Sequence, residues 1–69
     1  MRIRSYSKRE LAMMYFPNLT PHAATNKLAR WIGYSNELTT RLRDLGYSPR
    51  RNYYTPKEVE TIFFCLGAP

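Results

Sequence analysis

The residues able to do acid–base chemistry are few: Glu10, Glu37, Asp44, Glu58 and Glu60 are the five acids of the chain. Glu10 and Glu58 each stand three residues after a hydroxyl residue, Ser7 and Thr55. At that spacing a carboxylate caps a helix start and complements its dipole. No spare acid pair stands out. The single cysteine, Cys65, closes an apolar stretch, and the single histidine, His22, lies far from it near a helix start. A buried structural thiol is the ordinary fate of such a cysteine, and a Cys–His nucleophile would need the fold to join the two. One Cys and one His supply neither a disulfide nor a zinc-ligand set. The three glycines are too scattered for a phosphate loop. The expectation is therefore no enzyme, no metal and no cofactor.

The basic residues carry more information. Eleven Lys and Arg against five Asp and Glu give a net charge of +6 and a pI near 9.9, a balance that favours polyanionic partners. One group recurs every four residues: His22, Asn26 and Arg30, with Thr25 beside them. On a helix these make one polar stripe. Asn can bond two groups of adenine and Arg two groups of guanine in the major groove of DNA. The same stripe also describes an ordinary solvated helix face. A second group, Arg50 and Arg51 beside Tyr53 and Tyr54, suits phosphate contacts from a loop. The third, Arg2, Arg4, Lys8 and Arg9, could lie along a nucleic-acid backbone or be a solvated terminus.

Two aromatic pairs, Tyr15-Phe16 and Phe63-Phe64, raise a different chemistry. Adjacent residues on a helix point about 100° apart, so both members of a pair cannot face one core. Tyr15 and Phe64 are the members expected to form an apolar surface patch, suited to a protein partner or a homodimer.

The elements that must position these groups follow from start and stop signals. Ser7-Lys8-Arg9-Glu10 reads as a capping box opening a helix over about 8–16, which Pro17 ends. Thr20 caps a second helix, about 21–33, with Pro21 at its first position. Its buried stripe is Ala24, Leu28, Trp31 and Ile32. Ser35 or Asn36 opens a third, about 36–45, with Leu38, Leu42 and Leu45 inward and Gly46 past its end. Thr55-Pro56-Lys57-Glu58 opens the last, about 56–66, carrying Val59, Ile62, Phe63 and Leu66. A short two-stranded β element is possible near 2–6 and 51–55. Tyr6-Ser7-Lys8-Arg9-Glu10-Leu11 echoes Tyr54-Thr55-Pro56-Lys57-Glu58-Val59. Either two strand ends pair side by side or, more plainly, two capping boxes look alike.

Sixty-nine residues leave room for one domain, and 43% hydrophobic with 14% aromatic residues are enough to pack its core. The fold class expected is mainly α, a compact four-helix domain with a helix-turn-helix-like order. The first residues lack the apolar run of a signal peptide, and no stretch approaches the length that crosses a bilayer, which makes the cytoplasm the default.

The order of capped helix, turn, capped helix, then Leu45-Gly46-Tyr47 with Pro49-Arg50 and Tyr53-Tyr54-Thr55-Pro56-Lys57-Glu58-Val59, resembles the winged helix-turn-helix of MerR-type regulators and phage excisionases. That resemblance implies Ser7 to Phe16 as the first helix, Pro21 to Ile32 as the recognition helix and Arg50 to Tyr54 as the wing. More closely, Arg4-Ser5-Tyr6-Ser7-Lys8-Arg9-Glu10-Leu11-Ala12, Tyr15-Phe16-Pro17, Arg30-Trp31-Ile32 and Tyr54-Thr55-Pro56-Lys57-Glu58-Val59 resemble short gut-bacterial proteins grouped as a domain of unknown function. This second resemblance implies a fold and a lineage and transfers no activity.

These readings point to a small basic DNA-binding accessory or regulatory module. Its second helix would enter the major groove of double-stranded DNA, while Arg50, Arg51 and the amino-terminal basic group hold phosphates. The alternative is a protein-interaction adaptor or homodimerising module working through Tyr15 and Phe64, its charge serving solubility. Neither reading involves a membrane.

Overall fold

The computed structural model describes residues 3–48 and 50–69. Helix accounts for 64% of the described residues, and the elements run in the order β1 (Tyr6–Ser7), α1 (Lys8–Tyr15), α2 (Pro21–Tyr34), α3 (Asn36–Asp44), β2 (Tyr53–Tyr54) and α4 (Pro56–Leu66). The fold is mainly α, as its periodicity predicts, and each helix ends within one residue of its expected bounds.

Every helix start is fixed by a hydroxyl accepting a backbone N–H three residues on: Ser7 from Glu10, Thr20 from Ala23, Ser35 from Leu38 and Thr55 from Glu58. Each such bond satisfies an N–H that the helix itself cannot. The full capping box forms at α4, where the Glu58 carboxylate returns to the Thr55 N–H at 2.9 Å. At α1 the expected return bond gives way to another partner: the Glu10 carboxylate pairs with Arg4 at 3.0 Å. Ser35 both ends α2 and begins α3, and the Thr39 hydroxyl donates to the Ile32 carbonyl across this one-residue joint.

The end of α3 follows backbone geometry that only glycine adopts easily. Gly46 takes φ +85°, so its N–H reaches the Arg43 carbonyl and the Tyr47 N–H reaches the Leu42 carbonyl. This is the Schellman closure, and it throws the chain back toward β2.

The core gathers one stripe from each helix: Leu11 and Ala12, Ala24 with Leu28 and Ile32, Leu38 and Leu42, and Val59 with Ile62, closed by Tyr6 and Tyr54. Two expected core members are corrected. Trp31 is 40% exposed, since it sits at the margin of the α2 stripe, about 100° around the helix from Ile32. Leu45 is 45% exposed, because the chain reverses at Gly46 and Tyr47 turns inward in its place, stacked 5.5 Å from Tyr54.

The echo between the two ends of the sequence is a real pairing and not a mere likeness of caps. Strands β1 and β2 are antiparallel, with Tyr6 opposite Tyr54 and Ser7 opposite Tyr53. One more bond, from the Lys8 N–H to the Asn52 carbonyl at 2.9 Å, extends the ladder. It ties the start of α1 to the loop that precedes β2.

Candidate nucleic-acid interface

Three segments distant in sequence meet beside that bond. Ser7, Lys8 and Arg9 come from the start of α1, Pro21, His22 and Thr25 from the start of α2, and Asn52 from the loop before β2. Together they line a groove of about 550 Å³. Two helix starts therefore face it, each contributing the positive end of its dipole beside basic side chains.

In and beside it, the α2 side chains differ in how free they are to bond outward. The Thr25 hydroxyl donates to the Pro21 carbonyl at 2.8 Å, so its proton is committed to the helix. Asn26 is exposed, its Nδ2 lying 3.2 Å from His22 Nε2. That geometry fits an amide donating to an imidazole whose own proton is on Nδ1. The second amide proton and the carbonyl of Asn26 are left for a partner.

The remaining basic candidates separate into distinct environments. Arg4 lies 3.9 Å over the Tyr6 ring and holds Glu10, which together keep its guanidinium pKa above the usual value, with the Glu10 hydrogen bond the main cause. Arg50 is exposed two residues before the groove-lining Asn52, its N–H on the Ser48 hydroxyl. Arg51 is not a free phosphate arm. It pairs with Glu58, whose side chain is fully buried, and packs over the Tyr53 and Tyr47 rings at 5.0 and 5.6 Å. The bond to Glu58 raises its pKa. Arg2 lies outside the described residues.

Arg30 points away from the first groove into a second. Leu19, Ala23, Lys27, Arg30, Trp31 and Tyr34 line this hollow of about 350 Å³ on the adjoining face of α2. Asn52, Lys27 and Tyr34 were absent from the sequence-based candidates. Lys27 and Tyr34 carried a legible signal, since Ala23, Lys27, Arg30, Trp31 and Tyr34 share one helical stripe. Asn52 carried none, as only a long-range strand pairing brings it to α1.

The expected apolar patch splits as well. Tyr15 is half-buried against Phe16 and Phe63, and its hydroxyl donates to the Gly67 carbonyl at 2.5 Å. Phe64 is 74% exposed and lies under the Arg41 guanidinium, 5.4 Å from the ring centroid. Among the described residues no group of His, Cys, Asp or Glu is placed to hold a metal ion, and no helix is long and apolar enough to cross a membrane.

No curated protein and no solved structure matches the chain. Residues 2–69 match the model of the family described as Domain of unknown function (DUF4248), and the chain belongs to that family.

Proposed function

We propose that this chain is a small, basic, non-catalytic DNA-binding accessory or regulatory module of the bacterial cytoplasm, working on a winged helix-turn-helix plan akin to that of MerR-type regulators and excisionases. The observation that carries the reading is the convergence of Lys8, Arg9, His22 and Asn52, from three separate segments, on one groove. In this mechanism a backbone phosphate sits between the starts of α1 and α2, held by Lys8 and Arg9. Asn26 and His22 then face base edges in the major groove, and Arg50 reaches a flanking phosphate. On this plan the wing would be the stretch that ends in β2, Arg50 to Tyr54. The 14 residues of α2 give it about 21 Å of length to lie in the groove.

The test is duplex-DNA affinity measured by fluorescence anisotropy across a salt series. Affinity is expected to fall steeply with salt, and Arg9→Ala is expected to reduce the log–log slope by about 0.9, the share of one neutralised phosphate. Absent or salt-insensitive binding overturns the reading.

A second reading keeps one specific observation in its favour. Phe64 is largely exposed, and such a large exposed ring suits a protein partner or a second copy of the chain. A salt-resistant dimer or complex lost on Phe64→Ala would support an adaptor in place of a DNA reader.

A further inference from the structure

We infer that the hollow on the outer face of α2 is a docking site for an acidic peptide segment carrying an apolar anchor residue, supplied by a partner protein. Its floor and walls are apolar, built by Leu19, Ala23, Trp31 and Tyr34, while Lys27 and Arg30 stand in the same lining. No acid is among its described lining residues. A small apolar cavity bordered by two cations is complementary to a hydrophobic side chain flanked by carboxylates.

Three of the lining residues, Leu19, Lys27 and Trp31, are held in place before any partner arrives. Trp31 packs edge-on against Phe16, with ring centroids 4.7 Å apart and planes at 88°, and Phe16 in turn packs on the core. The Lys27 ammonium lies 4.8 Å from the Phe16 ring and 5.9 Å from Trp31, a cation–π position that favours keeping its head beside these rings. The Leu19 N–H bonds to the Phe16 carbonyl and pins the turn that forms one wall. Ordering these groups therefore costs little at the moment of binding.

Charge and chemistry narrow the occupant. A second copy of the chain is a poor fit, because it carries +6 and three of its five acids, Glu10, Glu37 and Glu58, already hold arginines. A single-stranded nucleic acid would offer negative charge but needs flat, open aromatic faces for its bases. Here Lys27 and Phe16 already crowd Trp31, and two wall residues are aliphatic. A peptide side chain suits such a hollow better.

Trp31 is the single tryptophan of the chain, so its fluorescence reports the hollow directly. The probe is a synthetic peptide in which Leu and Phe are flanked by Asp and Glu, titrated against the full chain. It should bind saturably, and Tyr34→Ala and the Lys27→Ala, Arg30→Ala pair should each weaken it about tenfold, as truncating an interface anchor does. Replacing its acids with Lys, or its Leu and Phe with Gly, should weaken it to a similar extent. Binding should survive in the Arg9→Ala, Arg50→Ala variant, which separates this site from the proposed DNA face. Tyr34 is 77% exposed, so its truncation leaves the fold intact, as circular dichroism would verify. Failure of the acidic peptide to bind, equal binding of the Lys peptide, tighter binding of single-stranded oligothymidylate, or a dimer in sedimentation that Tyr34→Ala abolishes would each overturn the inference.

Discussion

The Arg51 guanidinium is paired with the carboxylate of Glu58, a side chain with no solvent exposure that also accepts the Thr55 N–H. One buried carboxylate thus fixes both the loop before β2 and the start of α4. The neighbouring Arg50 has no such duty, and the two adjacent arginines should behave as opposites.

Glu58→Gln keeps the shape and an acceptor for Thr55 but removes the charge. It is expected to lower stability by about 2 kcal/mol, the scale of a lost charge-assisted hydrogen bond. Arg51→Ala should also destabilise, since it leaves a buried carboxylate without its cation, and should destabilise less when Glu58 is already Gln. Urea denaturation of the four proteins measures both effects.

For DNA, the expectation separates the same two positions. Arg50→Ala should leave the urea midpoint unchanged while flattening the salt dependence of duplex binding by about 0.9 in slope. Should Arg50→Ala leave the slope untouched, the loop before β2 makes no phosphate contact.

Two glycines should respond oppositely to alanine. Gly46 holds φ +85°, a conformation that strains any L side chain, so Gly46→Ala should cost about 1 kcal/mol. Gly33 lies within α2 with open space where a Cβ would stand, and Gly33→Ala should add about 0.5 kcal/mol by helix propensity. Thermal melts of the two variants compare them directly.

Alkali should expose the buried phenols. Burial pushes Tyr15 up to about 12 from its ordinary 10.0, and burial, followed by the adjacent Tyr47, moves Tyr54 further in the same direction. A phenol that ionises less readily when folded stabilises fully below its unfolded pKa, and that contribution is lost as pH rises through the folded value. Stability should therefore decline between pH 10 and about 12. Tyr15→Phe should be less stable by about 1 kcal/mol at neutral pH, having lost the bond to the Gly67 carbonyl. Its deficit against the parent should shrink across the alkaline window.

Much of the scaffold was legible because it is set by near neighbours. The caps at Ser7, Thr20, Ser35 and Thr55, the glycine turn at Gly46 and the buried stripes through Leu28, Leu38 and Ile62 all depend on residues within a few positions of each other. Hydroxyl-to-amide reach and helical period act locally, so the amino-acid order alone determined four helices and most of their inward faces. The outward stripe of His22, Asn26 and Arg30 was legible as exposed, but the division that puts His22 in one hollow and Arg30 in another was not.

That division, and the site itself, came from contacts that no local rule contains. The antiparallel pairing of Tyr6 with Tyr54 brings Asn52 to Lys8, and the fold of α1 against α2 sets Arg9 across from His22. The same long-range packing diverts Arg51 to Glu58 and turns Tyr15 toward Gly67. Trp31 stays partly exposed at the margin of the α2 stripe, where it meets Phe16, and Leu45 stays partly exposed because Tyr47 turns inward and stacks on Tyr54. Periodicity tells which side chains leave the helix on a given face, while only the docking of one element on another decides what each face meets.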